Sequence, residues 1–237
     1  SGEVQTRIAA SPWLAMRDGA TSCFAACSFA FHADPGPPVA RGRPSMVRLG
    51  TTLRPTMFSR AVKFCRACGT AVQTRIPDDG DTRERAVCPA CGTIHYINPL
   101  LVVGTVPYLG EQVLLCKRAI EPRRGKWTLP AGFMEMDETM VQGAARETAE
   151  EAGAAVQMGP FFSIMSIPRV GQVHVFYLAR LEHDRFAPGA ESLEARLFTE
   201  AQIPWDALAF TTVRETLKRF FADRRRGTFA VHDVDIP

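Results

Sequence analysis

The sequence predicts an α/β domain with a small cysteine-held module ahead of it. Three observations predict this. Two C-x-x-C pairs, Cys65/Cys68 and Cys88/Cys91, sit close together. Strand-like runs of apolar and β-branched residues begin at Leu100. A helical pattern then runs from about Glu138 to Ala152, with Asp137 as a plausible N-cap and Gly153 as the residue that ends it. The chain has 237 residues, 46% hydrophobic and 22% charged, which suffices for one core plus a satellite module. No stretch approaches the ~18 uninterrupted apolar residues of a membrane helix, so a soluble protein without a membrane span is expected.

Residues 1–60 differ from the rest. They hold three acids (Glu3, Asp18, Asp34), several arginines and a Pro-Gly-Pro-Pro run, without a sustained hydrophobic period, so an extension with little stable packing is expected. Arginine-rich, acid-poor composition suits an organellar transit segment. It also suits sequence upstream of a natural start at Met46 or Met57, the preferred reading because Met57 directly precedes the first recognisable module. Without a transit segment, cytoplasm is the default location. The seven cysteines favour metal in a reducing compartment over a disulfide framework, and Cys23 and Cys27 carry no metal spacing.

Residues 61–98 form the cysteine module. Its two pairs are separated by residues 69–87, a spacing within the roughly 15–20 residues expected of a four-thiolate zinc site. Gly69 and Gly92 follow the second cysteine of each pair, where positive φ lets the chain fold back around a metal. Four protein ligands leave zinc no open position, so Zn²⁺ held by Cys65, Cys68, Cys88 and Cys91 is structural and supplies much of the folding free energy of this ribbon. Zinc ribbons often bind nucleic acid, but the fold alone does not establish that function. The run Arg224–Arg226 reads as a solvated helix end, and nucleic acid is not an expected partner.

The main domain occupies residues 99–237. Strands are expected over Leu100–Tyr108, Gln112–Lys117, Phe162–Ile167, Val173–Leu181 and Leu193–Thr199. A last helix is expected over Thr212–Arg225, with Val213, Leu217, Phe220 and Phe221 as its buried stripe. Cys116 reads as a buried packing residue and His174 as a core or edge residue of its strand, which leaves no nucleophile with a matching base.

The chemistry concentrates on the first helix. At about 100° per residue, Glu147, Glu150 and Glu151 fall within roughly a 100° arc of one face. Like charges so crowded call for a cation, and hard Mg²⁺ or Mn²⁺ with oxygen ligands is the natural partner. Arg146 is placed to pair with Glu138 near the helix start, fixing loop to helix.

From Gly132 through Glu138, Arg146, Glu147, Glu150 and Glu151 to Gly153 and Ala154, the segment resembles the Nudix box, G-x5-E-x7-R-E-U-x-E-E-x-G-U with U a bulky aliphatic residue. All fixed positions match. Thr148 and Ala154 are small or polar at the U positions, which predicts a close approach of the inner helix face to the sheet. The resemblance implies an α/β/α sandwich with a mixed sheet. It also implies metal ligation by Glu147, Glu150, Glu151 and a backbone carbonyl near Gly132, with structural roles for Glu138, Arg146 and Gly153. The family usually adds a glutamate outside the helix as base or further ligand, for which Glu191 and Glu194 are the candidates, Glu191 preferred.

Beyond the box, the ribbon, Asn98-Pro99, Leu114–Arg118, Gly125–Gly132 and Phe186–Phe198 look like the zinc-ribbon Nudix group that contains plant plastid FAD diphosphatases and their bacterial relatives. That likeness implies hydrolysis of a nucleoside-diphosphate-linked compound, FAD (to FMN and AMP) and/or ADP-ribose. NADH is the runner-up, because the S-Q-P-W-P-F-P-x-S signature of the NADH group is absent. Trp127 could stack on a base, and Arg118 and Lys126 could meet phosphate oxygens. A non-catalytic nucleotide sensor is the alternative from another class. The partner expected is a small-molecule nucleotide, and a homodimer is plausible by resemblance.

Overall fold

The computed structural model describes residues 61–237, and the expectations for residues 1–60 lie outside the described residues. Three short strands open the described chain: β1 (Gln73–Arg75), β2 (Arg85–Val87) and β3 (Ile94–His95), paired antiparallel in that order. The main domain follows with β4 (Leu100–Leu109), β5 (Gln112–Arg118), β6 (Trp127–Thr128), β7 (Ala131–Phe133), helix α1 (Met140–Ala152), β8 (Val156–Ile167), β9 (Gln172–Leu181), β10 (Ser192–Phe198), helix α2 (Thr211–Arg226) and β11 (His232–Asp235). Its eight-stranded sheet runs β10-β5-β4-β9-β8-β11, with β6 on β5 and β7 on β4. The β4/β9 and β8/β11 pairs are parallel and the other pairs antiparallel, so the sheet is mixed.

Side-chain alternation divides the sheet into two apolar faces. Val103 of β4, Leu114 and Cys116 of β5, and Val175 and Tyr177 of β9 face Ala144 and Ala152 of α1. Their neighbours Val106, Val113, Leu115, Phe176 and Leu178 turn the other way, to Val213, Leu217 and Phe220 of α2. The result is the expected α/β/α sandwich. Leu217 and Phe220 are fully buried, each contributing roughly 1.5–3 kcal/mol. At the box position where an aliphatic residue is usual, Thr148 is fully buried; its Oγ1 lies 2.6 Å from Thr105 Oγ1 and donates to Ala144 O at 2.7 Å. The polar residue is tolerated because its hydroxyl is satisfied.

Several boundaries move. The N-cap of α1 is Thr139, not Asp137, which adopts φ 67° in the preceding turn. Thr139 and Gln142 form a reciprocal capping box: Gln142 N donates to Thr139 Oγ1 (3.2 Å) and Thr139 N to Gln142 Oε1 (2.8 Å). Strand β8 begins at Val156, six residues before the expected start, because a bulge between Met158 and Phe161 absorbs the Gly159-Pro160 punctuation. Strand β11 has no counterpart among the expected elements. The basic run is ion-paired rather than merely solvated: Arg224 with Glu111, Arg225 with Glu200 and Arg226 with Asp223.

Candidate active site

In the ribbon, each C-x-x-C turn closes in the same way. Gly69 N donates to Cys65 O (2.9 Å) and Gly92 N to Cys88 O (3.0 Å), both glycines at φ 73°. The turns bring Cys65 Sγ to 3.6 Å from Cys91 Sγ, and Cys68 Sγ to 3.4 Å from Cys88 Sγ and 3.5 Å from Cys91 Sγ. Tetrahedral zinc with Zn–S bonds near ~2.3 Å sets its sulfurs about 3.8 Å apart, so this donor set fits the ion.

In the main domain, β7 and α1 meet at the carboxylates. Arg146 grips Glu138 through Nε to Oε2 (3.0 Å) and Nη2 to Oε1 (2.8 Å), and Glu135 N donates to the same carboxylate (2.8 Å). The Arg146 hydrogen bonds, aided by that amide, hold the Glu138 carboxyl down at about 2. Nη1 of Arg146 also reaches Glu147 Oε1 (2.7 Å) and Glu150 Oε2 (2.9 Å), so the arginine bridges three glutamates. Glu147 lies against Gly132, where a Cβ would fall 2.3 Å from Oε1. Burial raises the Glu147 carboxyl above its ordinary value, opposed by Arg146 and reinforced by Glu150 and Glu191. Glu151 is 7% exposed and accepts from Ala131 N at 3.2 Å. Burial pushes it up to about 7; the Ala131 amide and Arg118 oppose, while Glu147 and Glu191 add to the rise. Glu150 stands more open, its side chain 59% exposed.

These groups border one cleft of about 1160 Å³, with Gly132, Arg146, Glu147, Glu150, Glu151 and Glu191 in its wall. Six glutamates and four arginines line it. A surplus of carboxylates, one of them buried and facing two others, suits oxygen-loving divalent cations, so the residues present fit Mg²⁺ or Mn²⁺.

The loop after β9 delivers Glu191 to this wall. Ala187 N donates to Ala152 O (2.9 Å), Gly189 N to Glu151 O (3.0 Å), and Ala119 N to Glu191 O (2.8 Å). At Gly189 a Cβ would fall 1.7 Å from the Glu150 carbonyl oxygen, so only a bare backbone can dock there. Glu194 is set apart: it lies on β10, 3.8 Å from Lys117 Nζ, and does not line the cleft.

The residues expected to touch substrate separate likewise. Arg118 lines the cleft, its Nε donating to Pro122 O (2.9 Å) and its guanidinium 5.2 Å from the Phe210 ring centre. Trp127 does not line it. It is 8% exposed and packs edge-on against Phe198 at 4.8 Å, because its strand β6 turns the ring into the α2-side core. Lys126 donates to Asp206 O at 3.4 Å, also away from the cleft lining. Cys116 is buried as expected, and burial pushes its thiol up to about 12. His174, read as a core or edge residue of its strand, lines the cleft beside Gln172 and Thr212. No local pattern announces it, since its partner Thr212 is 38 residues away.

Comparison with known proteins agrees with this layout. Residues 63–97 match the family model described as Nudix N-terminal, a zinc ribbon, and residues 99–222 match the NUDIX domain. Curated relatives named NAD-capped RNA hydrolase NudC are 30% identical over 73% of this chain in Deinococcus radiodurans and 28% over 65% in Photobacterium profundum. The matches cover 62% and 58% of those proteins, so the chain spans about three-fifths of their length. The crystal structure of a NUDIX hydrolase from Nitrosomonas europaea is 50% identical, covers 74% of this chain and 100% of its own, and superposes with a TM-score of 0.70. With the domain match spanning more than half of its residues, the chain belongs to the Nudix hydrolase family, in the form that carries a zinc ribbon ahead of the Nudix domain.

Proposed function

We propose that this protein hydrolyses the diphosphate of a nucleoside-diphosphate-linked compound with Mg²⁺ or Mn²⁺, and that FAD and ADP-ribose are its preferred substrates. The observation that carries the reading is the convergence of Glu147, Glu151 and Glu191 on one cleft beside Gly132. Bound divalent cations supply charge neutralisation and an activated water. Glu147, Glu150 and Glu151 would hold them through side-chain oxygens, assisted by the backbone near Gly132. Arg146 and Glu138 fix the loop to the helix, while Gly153 ends the helix in the left-handed conformation at φ 56°. Glu191 accepts the proton of the attacking water, and Arg118 meets a phosphate oxygen. The choice of FAD rests on the residue likeness to the FAD diphosphatase group. The NudC relatives favour a second reading, in which NAD(H)-type dinucleotides are hydrolysed.

The test is a panel of FAD, ADP-ribose and NADH in Mg²⁺ and in Mn²⁺, with products identified. Release of FMN and AMP from FAD faster than cleavage of NADH supports the first reading. Glu151→Gln and Glu191→Gln lower kcat/KM by about 100-fold or more, while Glu194→Gln leaves it within about twofold. Unchanged turnover in Glu150→Gln and Glu151→Gln would instead make this a nucleotide-binding module.

A further inference from the structure

The cleft has a second end that the carboxylates do not use. There a hydrogen-bonded row crosses from α2 to the sheet. Nδ1 of His174 lies 3.1 Å from Thr212 Oγ1, and Nε2 of His174 lies 3.0 Å from Gln172 Oε1. An amide oxygen can only accept, so Nε2 carries the ring proton, and in a neutral ring Nδ1 must then accept from the Thr212 hydroxyl. Burial holds His174 well below the ordinary imidazole value, at about 4, so the ring is neutral. Thr212 is 3% exposed and cannot swing away to water.

In the structure the Gln172 amide turns Oε1 toward His174. With Oε1 occupied, what Gln172 can offer the cleft is its NH₂ group. The surrounding walls are apolar and aromatic: Phe176 is 1% exposed at the base, and half-buried Phe210 and buried Val102 flank it. His174 pairs with Val102, which pairs in turn with Phe133, the residue after Gly132. The two ends of the cleft are thus about two strand spacings apart, roughly 10 Å. Apolar and aromatic side chains beside an amide donor suit a heterocycle that has a ring acceptor.

The geometry points to this end of the cleft as the seat of the adenine of the substrate, with Gln172 donating to a ring nitrogen and His174 as the positioning residue that fixes the Gln172 amide. The inference rests on the nucleotide-diphosphatase reading, and FAD, ADP-ribose and NADH all contain adenine.

The test is binding of AMP and of ribose 5-phosphate to the full chain without added divalent metal, by calorimetry, in wild type, Gln172→Glu, Thr212→Val, His174→Phe and Glu194→Gln. Gln172→Glu keeps the oxygen that His174 holds and replaces the donor with a carboxylate oxygen. It weakens AMP about tenfold or more and leaves ribose 5-phosphate unchanged. Thr212→Val and His174→Phe free the amide and weaken AMP less, and Glu194→Gln, outside the cleft lining, binds AMP like wild type. Thr212→Val is close in shape to the native residue and covers the case in which the histidine variant fails to fold. Equal AMP binding by wild type, Gln172→Glu and Thr212→Val overturns the inference, even if the wild type hydrolyses dinucleotides. If the wild type turns over no nucleoside diphosphate compound but still shows the Gln172-dependent preference for AMP, the hydrolase reading fails and the adenine seat stands.

Discussion

Gly132 and Glu147 occupy each other's space: a Cβ on the glycine would fall 2.3 Å from Oε1 of the glutamate. Strand β7 and helix α1 close on one another because nothing stands between the backbone of the one and the carboxylate of the other. In Gly132→Ala the methyl group must displace the flexible end of Glu147, which leaves the core intact but moves an oxygen proposed to hold a cation. Strain of about 1–3 kcal/mol at this contact corresponds to a loss of about ten- to a hundredfold in kcat/KM. Steady-state kinetics, Mn²⁺ titration and a thermal melt check it. Weakened Mn²⁺ binding with a Tm lowered by several degrees is the expected pattern, and full activity in the variant would show that Glu147 does not need its present place.

Glu151 is expected to impose a pH dependence on the proposed metal binding. Burial, with help from Glu147 and Glu191, raises its carboxyl to about 7. Cation binding requires the ionised form, so below that value a proton competes with the metal. In the metal-free protein the sign for stability is the reverse of that for an ordinary paired carboxylate. The folded state binds more protons than the unfolded one between the ordinary glutamate value and about 7, so stability falls as pH rises through that window. Apparent Mn²⁺ affinity is therefore expected to strengthen between pH 6 and 8, followed by the paramagnetic signal of free Mn²⁺. Glu151→Gln binds the ion more weakly and with a flatter pH profile. An equally steep profile in that variant would assign the titration to another group.

The parts of this site that could be read from the sequence are those whose geometry is local. Helical periodicity alone puts Glu147, Glu150 and Glu151 on one face, and two C-x-x-C pairs specify a four-sulfur site whatever lies between them. The buried stripe of Val213, Leu217, Phe220 and Phe221 follows from the same periodicity. The capping box is local too, since Thr139 and Gln142 stand at the spacing that marks a helix start. What was not legible depends on residues far apart in the chain. Thr148 gives no hint that its hydroxyl meets Thr105, 43 residues earlier, nor does His174 that Thr212 will hold it. Trp127 reads equally well as a stacking platform or a core residue until the pairing of β6 with β5 turns it inward. Gly189 is required by the Glu150 carbonyl, which lies where its side chain would be and is distant in the chain.

The ribbon is expected to depend on a bound metal. Between Cys65 and Cys91 little apolar surface is available: Val87 is buried, while Ile76 is 54% exposed. Zinc ligation is then the main stabilising term, as in other small metal-held modules. Removing zinc with a strong chelator, or Cys88→Ser, is expected to abolish amide-exchange protection over residues 63–97 and reduce zinc content to background. The main sheet has its own core on both faces, so its protection should persist. Ribbon protection that survives complete zinc loss would refute the assignment.

Asp223 ties the C-terminal strand to α2. It is fully buried and accepts from Ala230 N (2.9 Å) and His232 Nε2 (2.8 Å), and it pairs with Arg226. These contacts start β11 at His232, opposite Ser163, and the strand carries on until Ile236 N donates to Ser166 O at 2.9 Å, with Ile236 lining the cleft. Burial is the largest influence on the Asp223 carboxyl and pushes it up. The hydrogen bonds from the Ala230 amide, His232 and Arg226 together outweigh it, and the net shift is downward. A depressed folded-state value means that the contribution to stability is fully present above the unfolded aspartate value of about 3.9 and is lost as pH falls through the lower folded value. Asp223→Asn keeps the shape but loses the charge and should cost about 1–3 kcal/mol at pH 7, read by urea denaturation. The gap between wild type and variant should narrow once the pH drops below about 4. A gap that stays constant down to acid unfolding of the wild type would show that the charge of Asp223 plays no part in holding the strand.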